Sequence, residues 1–408
     1  MGAIATASPA TALRRAAHVY REDPRLGPPT PSQTTHLAAA HRLDVGPMPR
    51  VRADGGARQR IGCTVGGFVD GLGFRVLRRL FAASHRAETE ASDYHELESG
   101  WLERSETARK ISGEYFPRPA APQVEAPRRR SLPNGVVEDL CFSSEAYANG
   151  RPAALRVLRA YPENRLARVR AYRHPASGHP ALVWLHGWGM GFPAAEALVC
   201  RARHLHRLGL DVYLYTLPYH AARRPRGVTF AGQVFPTTDM TRTNEGFLQA
   251  VWEVRALMAW HRAQTGGAPC GVMGLSLGAY LAAVLASVAK ETLFAICLLP
   301  VADIPTLMWS NGEGTGERAR AEEAGVTFDM FCRSMAVHAP LTRDLVIPRR
   351  RVLLVGARGD RIIPPIHTEV LWEHWGQPPL HWTTGSHLLH FGRAGYLDAV
   401  EGLLRDAL

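Results

Sequence analysis

From residue 181 onward the chain alternates between short apolar runs and longer segments whose apolar positions recur at helical spacing. Ala181–Leu185 is apolar throughout, 271–275, 293–299 and 351–355 are comparable, largely apolar runs, and 210–216 and 380–383 read as strands with polar positions among the apolar ones. Continuous apolar runs of this length suit strands buried on both faces, as in a parallel sheet. Between them, 194–207, 244–263, 277–289, 366–375 and 393–406 read as helices. Strands alternating with helices predict a mostly parallel central sheet with helices on both faces. Ahead of this region, Val136–Phe142, Ala154–Tyr161 and Ala167–Tyr172 alternate enough to be antiparallel opening strands. Residues 303–345 interrupt the pattern. Ile304–Trp309 and Ala319–Met335 read as helices around the loop Gly312–Gly316, which predicts a small helical cap insertion.

The first 130 residues behave differently. Residues 1–60 are rich in Ala, Pro, Arg and Gly without periodicity, and Pro28-Pro29-Thr30-Pro31 and Asp54-Gly55-Gly56 break any regular element, so this stretch is expected to be largely disordered. Phe68, Leu72, Phe74, Leu77, Leu80 and Phe81 lie at helical spacing opposite Arg75, Arg78 and Arg79. An amphipathic helix near 68–85 follows, suited to docking on its own catalytic domain or to peripheral membrane contact. Leu102–Tyr115 reads as a second, polar helix, and Pro117, Pro119, Pro122, Pro127 and Pro133 mark a stiff linker. The expected organisation is an N-terminal extension over 1–130, partly disordered and partly helical, and one domain over 131–408. Removal of the extension is expected to leave an active domain.

Charge and cysteine content narrow the setting. The net charge is +11 with a pI near 9.7, and almost all of the basic residues are Arg; Lys110 and Lys290 are the only lysines. The excess is spread along the chain without a basic-aromatic stripe or zinc-ligand spacing, so no nucleic-acid partner is implied. The six cysteines form no C-x-x-C pair, and most sit in apolar surroundings, which suits a reducing compartment. No run of 18 apolar residues predicts an integral membrane segment. With no charged n-region followed by an apolar h-region, the expected location is cytoplasmic.

The chemistry concentrates in Gly274-Leu275-Ser276-Leu277-Gly278. An apolar strand leads into this G-x-S-x-G and an apolar helix leads out, the context of a serine held on a sharp strand-to-helix turn. Flanking glycines let strand and helix approach closely, and the serine stands at a helix N-terminus, whose amides favour negative charge. His186-Gly187-Trp188-Gly189-Met190-Gly191 follows the strand 181–185 and can offer backbone N–H groups to an oxyanion. Asp360 follows the strand 351–355, and His387 follows Thr384-Gly385-Ser386 after the strand 380–383. His390 competes with His387 as the base; His387 is preferred because it stands on the loop directly after Gly385-Ser386.

In these four motifs and their order, residues from about 136 to 408 resemble an α/β-hydrolase of the abhydrolase superfamily, and Leu217-Pro218-Tyr219-His220 after the fourth strand resembles a bacterial group of serine hydrolases of esterase type. The resemblance implies an α/β-hydrolase fold and a catalytic triad of Ser276, Asp360 and His387. It also implies an oxyanion hole from the N–H of Leu277 and that of Trp188 or Gly189. The expected activity is cleavage of a carboxylic ester, thioester or amide of a small-molecule acyl substrate, without metal or other cofactor. An acyltransferase using the same residues, and a non-catalytic binding protein on this fold, remain open; the intact triad disfavours the latter. Tyr219 and His220 are candidates to line the substrate pocket, with Trp309 from the cap. His186 reads as a structural hydrogen-bonder, and Arg223, Arg224 and Arg226 as a solvated basic loop.

Overall fold

The computed structural model describes residues 9–22, 63–64, 66–71, 116–313, 316–323, 325–389 and 393–408. The expected helix near 68–85 lies outside them beyond residue 71, and the expected helix Leu102–Tyr115 lies wholly outside them. His390 also lies outside. The chain forms two compact units: Ile111–Cys297 with Ala407–Leu408, and Leu298–Asp406 with Met1–Lys110. This division differs from the expected boundary at residue 131.

In the first unit the strands β1 (Glu125–Leu132), β2 (Gly135–Ser143), β3 (Leu166–Arg173), β4 (Ala181–Leu185), β5 (Asp211–Thr216), β6 (Cys270–Leu275) and β7 (Thr292–Leu298) lie in the order β1-β2-β3-β5-β4-β6-β7. The first three and β5 pair antiparallel, whereas β4 runs parallel to both β5 and β6. Every residue of β4, β5 and β6 is buried, which explains their unbroken apolar character. The helix Met240–Gln264 starts at Asp239, whose carboxylate accepts from Arg242 N at 2.9 Å.

Three expectations needed correction here. Ala154–Tyr161 is not a strand but the helix Pro152–Ala160: Pro152 opens it, and Ala154, Val157 and Leu158 recur at helical spacing on its buried face. The predicted helix 194–207 divides into Pro193–Val199 and Ala202–Arg207, because Arg201 takes a left-handed conformation with φ 58°. The Pro-rich stretch contains a strand, β1, with an almost entirely exposed face pattern. It is held by backbone pairing to β2, so no apolar alternation announces it.

In the second unit β8 (Val352–Ala357) and β9 (Leu380–Thr383) pair parallel, accompanied by the helices Ile366–His374 and Arg393–Ala407. Residues 303–345, expected to form a cap, contain the helices Ile304–Asn311, Gly316–Glu323 and Phe328–Met335. The last two replace one predicted helix; Gly325 at φ 85° and the new cap Thr327, which accepts from Met330 N at 3.2 Å, separate them. Within the supposedly disordered first sixty residues, Pro9–Glu22 is a helix. It packs on Ile304–Asn311 and Phe328–Met335, buries Leu13 and Ala16 completely, and joins Arg15 to Asp329 by two hydrogen bonds of 2.7 and 3.0 Å. Its alanine-rich apolar face is short and hides in an Ala/Pro/Arg composition, which is why the segment reads as aperiodic. Among the described residues no helix is long and apolar enough to cross a membrane.

Candidate active site

β6 ends at Leu275 and the helix Leu277–Val288 begins at once, with Ser276 as the joint. Ser276 has φ 56° and ψ −113°, a region costly for a residue with a side chain and sustained only by its surroundings. Both flanking glycines are required sterically. A Cβ on Gly274 would lie 2.0 Å from Gly278 O, and one on Gly278 would lie 1.9 Å from Leu185 O. The backbones of β6, β4 and the helix therefore meet closer than any other residue allows. From Cys270 to Ser287 every residue is buried except Ser276. The serine side chain makes no capping bond, and the first helical bond runs from Tyr280 N to Ser276 O at 3.0 Å. The N–H groups of the first turn, that of Leu277 included, thus have no intrahelical acceptor.

The turn after β4 stands beside this joint: Gly187 is within contact of Ser276, its notional Cβ 3.6 Å from Ser276 Cβ. Trp188, Gly189 and Met190 are half-buried in an otherwise buried region. Gly189 has φ 78°, and Gly191, at φ 102°, packs its backbone on the His186 ring. His186 itself is fully buried. Its Nδ1–H donates to Gly187 O at 2.8 Å, and its Nε2 accepts from Leu217 N at 3.0 Å. Burial holds its pKa well below the usual imidazole value, and nearby His220 adds to the effect. His186 is thus a neutral brace between the turns after β4 and β5, as its sequence position suggested. The Trp188 indole donates to Gly232 O at 2.8 Å.

Tyr219 and His220, expected to line the substrate pocket, are fully buried in the turn after β5. Tyr219 is held at φ 64°, with its N–H donating to Asn164 Oδ1 at 2.8 Å. His220 Nδ1 donates to Pro218 O at 2.8 Å, and burial lowers its pKa to about 4. Tyr219 Oη and His220 Nε2 have no hydrogen-bond partner among the described residues.

In the second unit Asp360 and His387 are paired. Asp360 sits on the loop after β8, where its Oδ1 accepts from Ile362 N at 2.9 Å and Ile363 N at 2.7 Å. These bonds fix the carboxylate so that Oδ2 meets His387 Nδ1 at 2.7 Å. Asp360 is buried and the His387 side chain is nearly so, at 12% exposure. Burial alone would lower the pKa of His387. The charge and hydrogen bond of Asp360, with the charge of Asp70, outweigh it and raise the pKa above the ordinary value. The Asp360 carboxylate accepts from Nδ1, so in the neutral ring the proton sits on Nδ1 and Nε2 keeps its lone pair. In the cap, Trp309 is half-buried, with Phe328 and Phe331 at centroid distances of 5.8 and 6.0 Å and the Arg318 guanidinium 4.6 Å over its ring.

No family model matches the chain. It is 33% identical over 295 residues to the uncharacterized protein MT2702 of Mycobacterium tuberculosis (strain CDC 1551 / Oshkosh), covering 71% of this chain and 67% of that one. It is 34% identical over 241 residues to the uncharacterized protein Rv2627c of the H37Rv strain, covering 58% of this chain and 56% of the relative. The chain belongs to the family of these mycobacterial proteins. Among solved structures it is similar to acetyl xylan esterase 1 from Thermoanaerobacterium sp. JW/SL YS485, with a TM-score of 0.50 at 14% identity over 74% of this chain and 93% of that one. The protein has an α/β-hydrolase fold.

Several residues that support this hydrolase-fold protein's loops carry no sequence signal. Glu196 is buried and accepts from Trp184 Nε1 and Gly191 N, both at 2.8 Å, pinning the end of the glycine-rich turn. Arg223 is not part of a solvated loop. It is fully buried and grips Glu253 through two bonds of 2.6 and 2.8 Å. Asp70, an isolated acid in the N-terminal segment, is fully buried against the His387 loop. His174, His206 and Asp211 also gather, with candidate ligand atoms within 4.8 Å of one another. The His174 and His206 rings stack at 3.8 Å and 24°, so their in-plane lone pairs run side by side rather than converging on a point. His174 instead donates from Nδ1 to Asp211 at 2.9 Å.

Proposed function

We propose that this protein is a serine hydrolase that cleaves a carboxylic ester, or a related thioester or amide, through an acyl-enzyme on Ser276. The observation that carries the reading is the Ser276 joint: a strained, half-buried serine, in an otherwise buried stretch, between two sterically obligatory glycines at a helix N-terminus. Such strain persists where function requires it. The paired Asp360 and His387, in the chain order serine, acid, base, supply the rest of the chemistry. In this reading His387 Nε2 takes the hydroxyl proton as Ser276 Oγ attacks the acyl carbon. Asp360 steadies the imidazolium, which then protonates the leaving group, and water repeats the sequence to release the acid.

The negative charge that builds on the carbonyl oxygen is received by Leu277 N–H and by that of Trp188 or Gly189, each donor contributing about 3–4 kcal/mol. Trp309 offers an apolar face to the acyl group. Tyr219 and His220 are fully buried, so in this reading they shape the turn after β5 without touching the substrate. That the neighbouring solved structure is an acetyl xylan esterase supports ester cleavage by analogy of fold.

Incubation of the full chain with a fluorophosphonate, followed by peptide mapping, tests the reading. Label is expected on Ser276 and absent from Ser276→Ala, while the two proteins keep the same circular dichroism spectrum. Equal labelling of the variant and the parent defeats it.

A further inference from the structure

We infer that Asp70, from the N-terminal segment, is a positioning residue for the Asp360–His387 pair. The inference rests on the reading of His387 as the general base. Its starting point is a fully buried carboxylate that accepts four hydrogen bonds from the two loops carrying that pair. Asp70 Oδ1 accepts from Ser386 Oγ at 2.8 Å and Leu388 N at 3.0 Å. Oδ2 accepts from His387 N at 2.8 Å and Arg361 N at 3.1 Å. Three of these donors are His387 itself and its two neighbours in sequence, and the fourth is the residue after Asp360. One carboxylate thereby ties the backbone of the base to the backbone of the acid. The Nδ1–Oδ2 bond of 2.7 Å then depends on two loops whose relative position Asp70 sets.

The segment bearing Asp70 is seated closely enough for this task. A Cβ on Gly66 would lie 2.8 Å from Ser386 Cβ, and one on Gly67 would lie 2.7 Å from Arg361 Nε. Cys63 Sγ donates to Thr384 O at 3.2 Å, and a Cβ on Gly359 would come within 2.9 Å of Cys63 O. Cys63, Gly66, Gly67 and Asp70 therefore touch the loop before His387 and the loop around Asp360 at several independent points. The acidic groups that raise the His387 pKa are Asp360 and Asp70, so the clamp acts on the ring's charge as well as its place. This contact bears against the expectation that removal of the extension leaves an active domain: loss of Asp70 would leave four donors of the His387 and Asp360 loops without their acceptor.

Buried charge-assisted bonds of this kind are sensitive to a change of one atom. In Asp70→Asn the negative charge is lost, and the amide nitrogen faces either the N–H groups of His387 and Arg361 or, turned over, that of Leu388 together with a Ser386 hydroxyl able to accept, so one or two of the four bonds are lost. The test compares the full-length parent with Asp70→Asn, Ser386→Ala and, as a control on the same segment, Phe68→Ala, whose side chain is 66% exposed. Two quantities are measured: the rate of fluorophosphonate labelling, and the titration of the His387 ring by NMR, assigned with His387→Ala. A misplacement of about 1 Å costs on the order of 10²-fold in rate, so Asp70→Asn is expected to slow labelling by roughly that factor and to lower the His387 midpoint.

Ser386→Ala, which loses one of the four bonds, is expected to fall between Asp70→Asn and the parent, and Phe68→Ala to match the parent. Should Asp70→Asn fail to fold, the Ser386→Ala titration and labelling rate decide the matter. Parent-like labelling and parent-like His387 titration in the folded variants would overturn the inference. Absence of labelling in the parent would instead defeat the hydrolase reading. The NMR titration would still decide the role of Asp70, because it needs no activity.

Discussion

Replacing Glu253 by Gln isolates the charge that holds the turn after β5. The Glu253 carboxylate is fully buried and receives five hydrogen bonds. Two come from Arg223 at 2.6 and 2.8 Å, one each from Tyr215 Oη and Ser144 Oγ at 2.5 Å, and one from Gln249 Nε2 at 2.7 Å. Arg223 in turn donates to Thr216 O and Asn164 O, and Asn164 Oδ1 receives Tyr219 N. A glutamine at 253 has one acceptor oxygen, and its NH₂ group would face at least two donors. The Arg223 cation would remain in the interior without a counter-charge. Breaking a buried pair from one side costs about 3–5 kcal/mol, a large part of the roughly 5–15 kcal/mol that stabilises a folded protein. Taking about 4 kcal/mol and a urea m-value near 2 kcal/mol/M, the midpoint of urea unfolding should fall by about 2 M. Tryptophan and tyrosine fluorescence followed at pH 7 provides the assay. The double variant Arg223→Met with Glu253→Leu, which removes both charges, should be less destabilised than Glu253→Gln alone. A Glu253→Gln midpoint indistinguishable from that of the parent would refute the argument that this carboxylate is the acceptor holding Arg223.

Gly278→Ala should lower the melting temperature and abolish Ser276 labelling. The added Cβ would sit 1.9 Å from Leu185 O and 2.7 Å from His186 O, both backbone atoms. The resulting overpacking of about 1–3 kcal/mol or more exceeds the gain of about 1 kcal/mol that alanine brings to a helix; a higher melting temperature would contradict this. The kcat/KM for a p-nitrophenyl ester should rise with pH through the raised pKa of His387, since the base acts when neutral. Its acid-limb midpoint should therefore lie above about 6.5, the ordinary imidazole value. By the same sign the ionic His387–Asp360 pairing contributes stability at low pH that is lost as pH rises through the folded-state pKa. A midpoint below the ordinary value would show that burial, not the two carboxylates, governs the ring.

Composition and local pattern determined much of this protein. The apolar strands 181–185, 271–275 and 351–355 were legible because strands covered on both faces need no polar alternation. The Ser276 joint was legible because only glycine fits where Gly278 meets Leu185 O. Asp360 and His387 were legible as loop residues after strands, and they do pair. The structure decided what depends on partners distant in the chain. Ala154–Tyr161 was misread because a short amphipathic helix and a short strand share apolar positions, and the burial of Ala154, Val157 and Leu158 selects the helix. Arg223 looked like one of three loop arginines until Glu253, thirty residues away, neutralised it in the interior. Pro9–Glu22 looked aperiodic because its partners lie more than 280 residues further on, in the cap helices. Asp70 carried no signal at all: an acid in an arginine-rich extension is unremarkable in sequence. It gains its role only when the fold brings His387 N, Leu388 N, Ser386 Oγ and Arg361 N around it. Local patterns record what each segment buries, but the partners of a buried charge are set by the tertiary structure, because the donors that neutralise it come from segments remote in the chain.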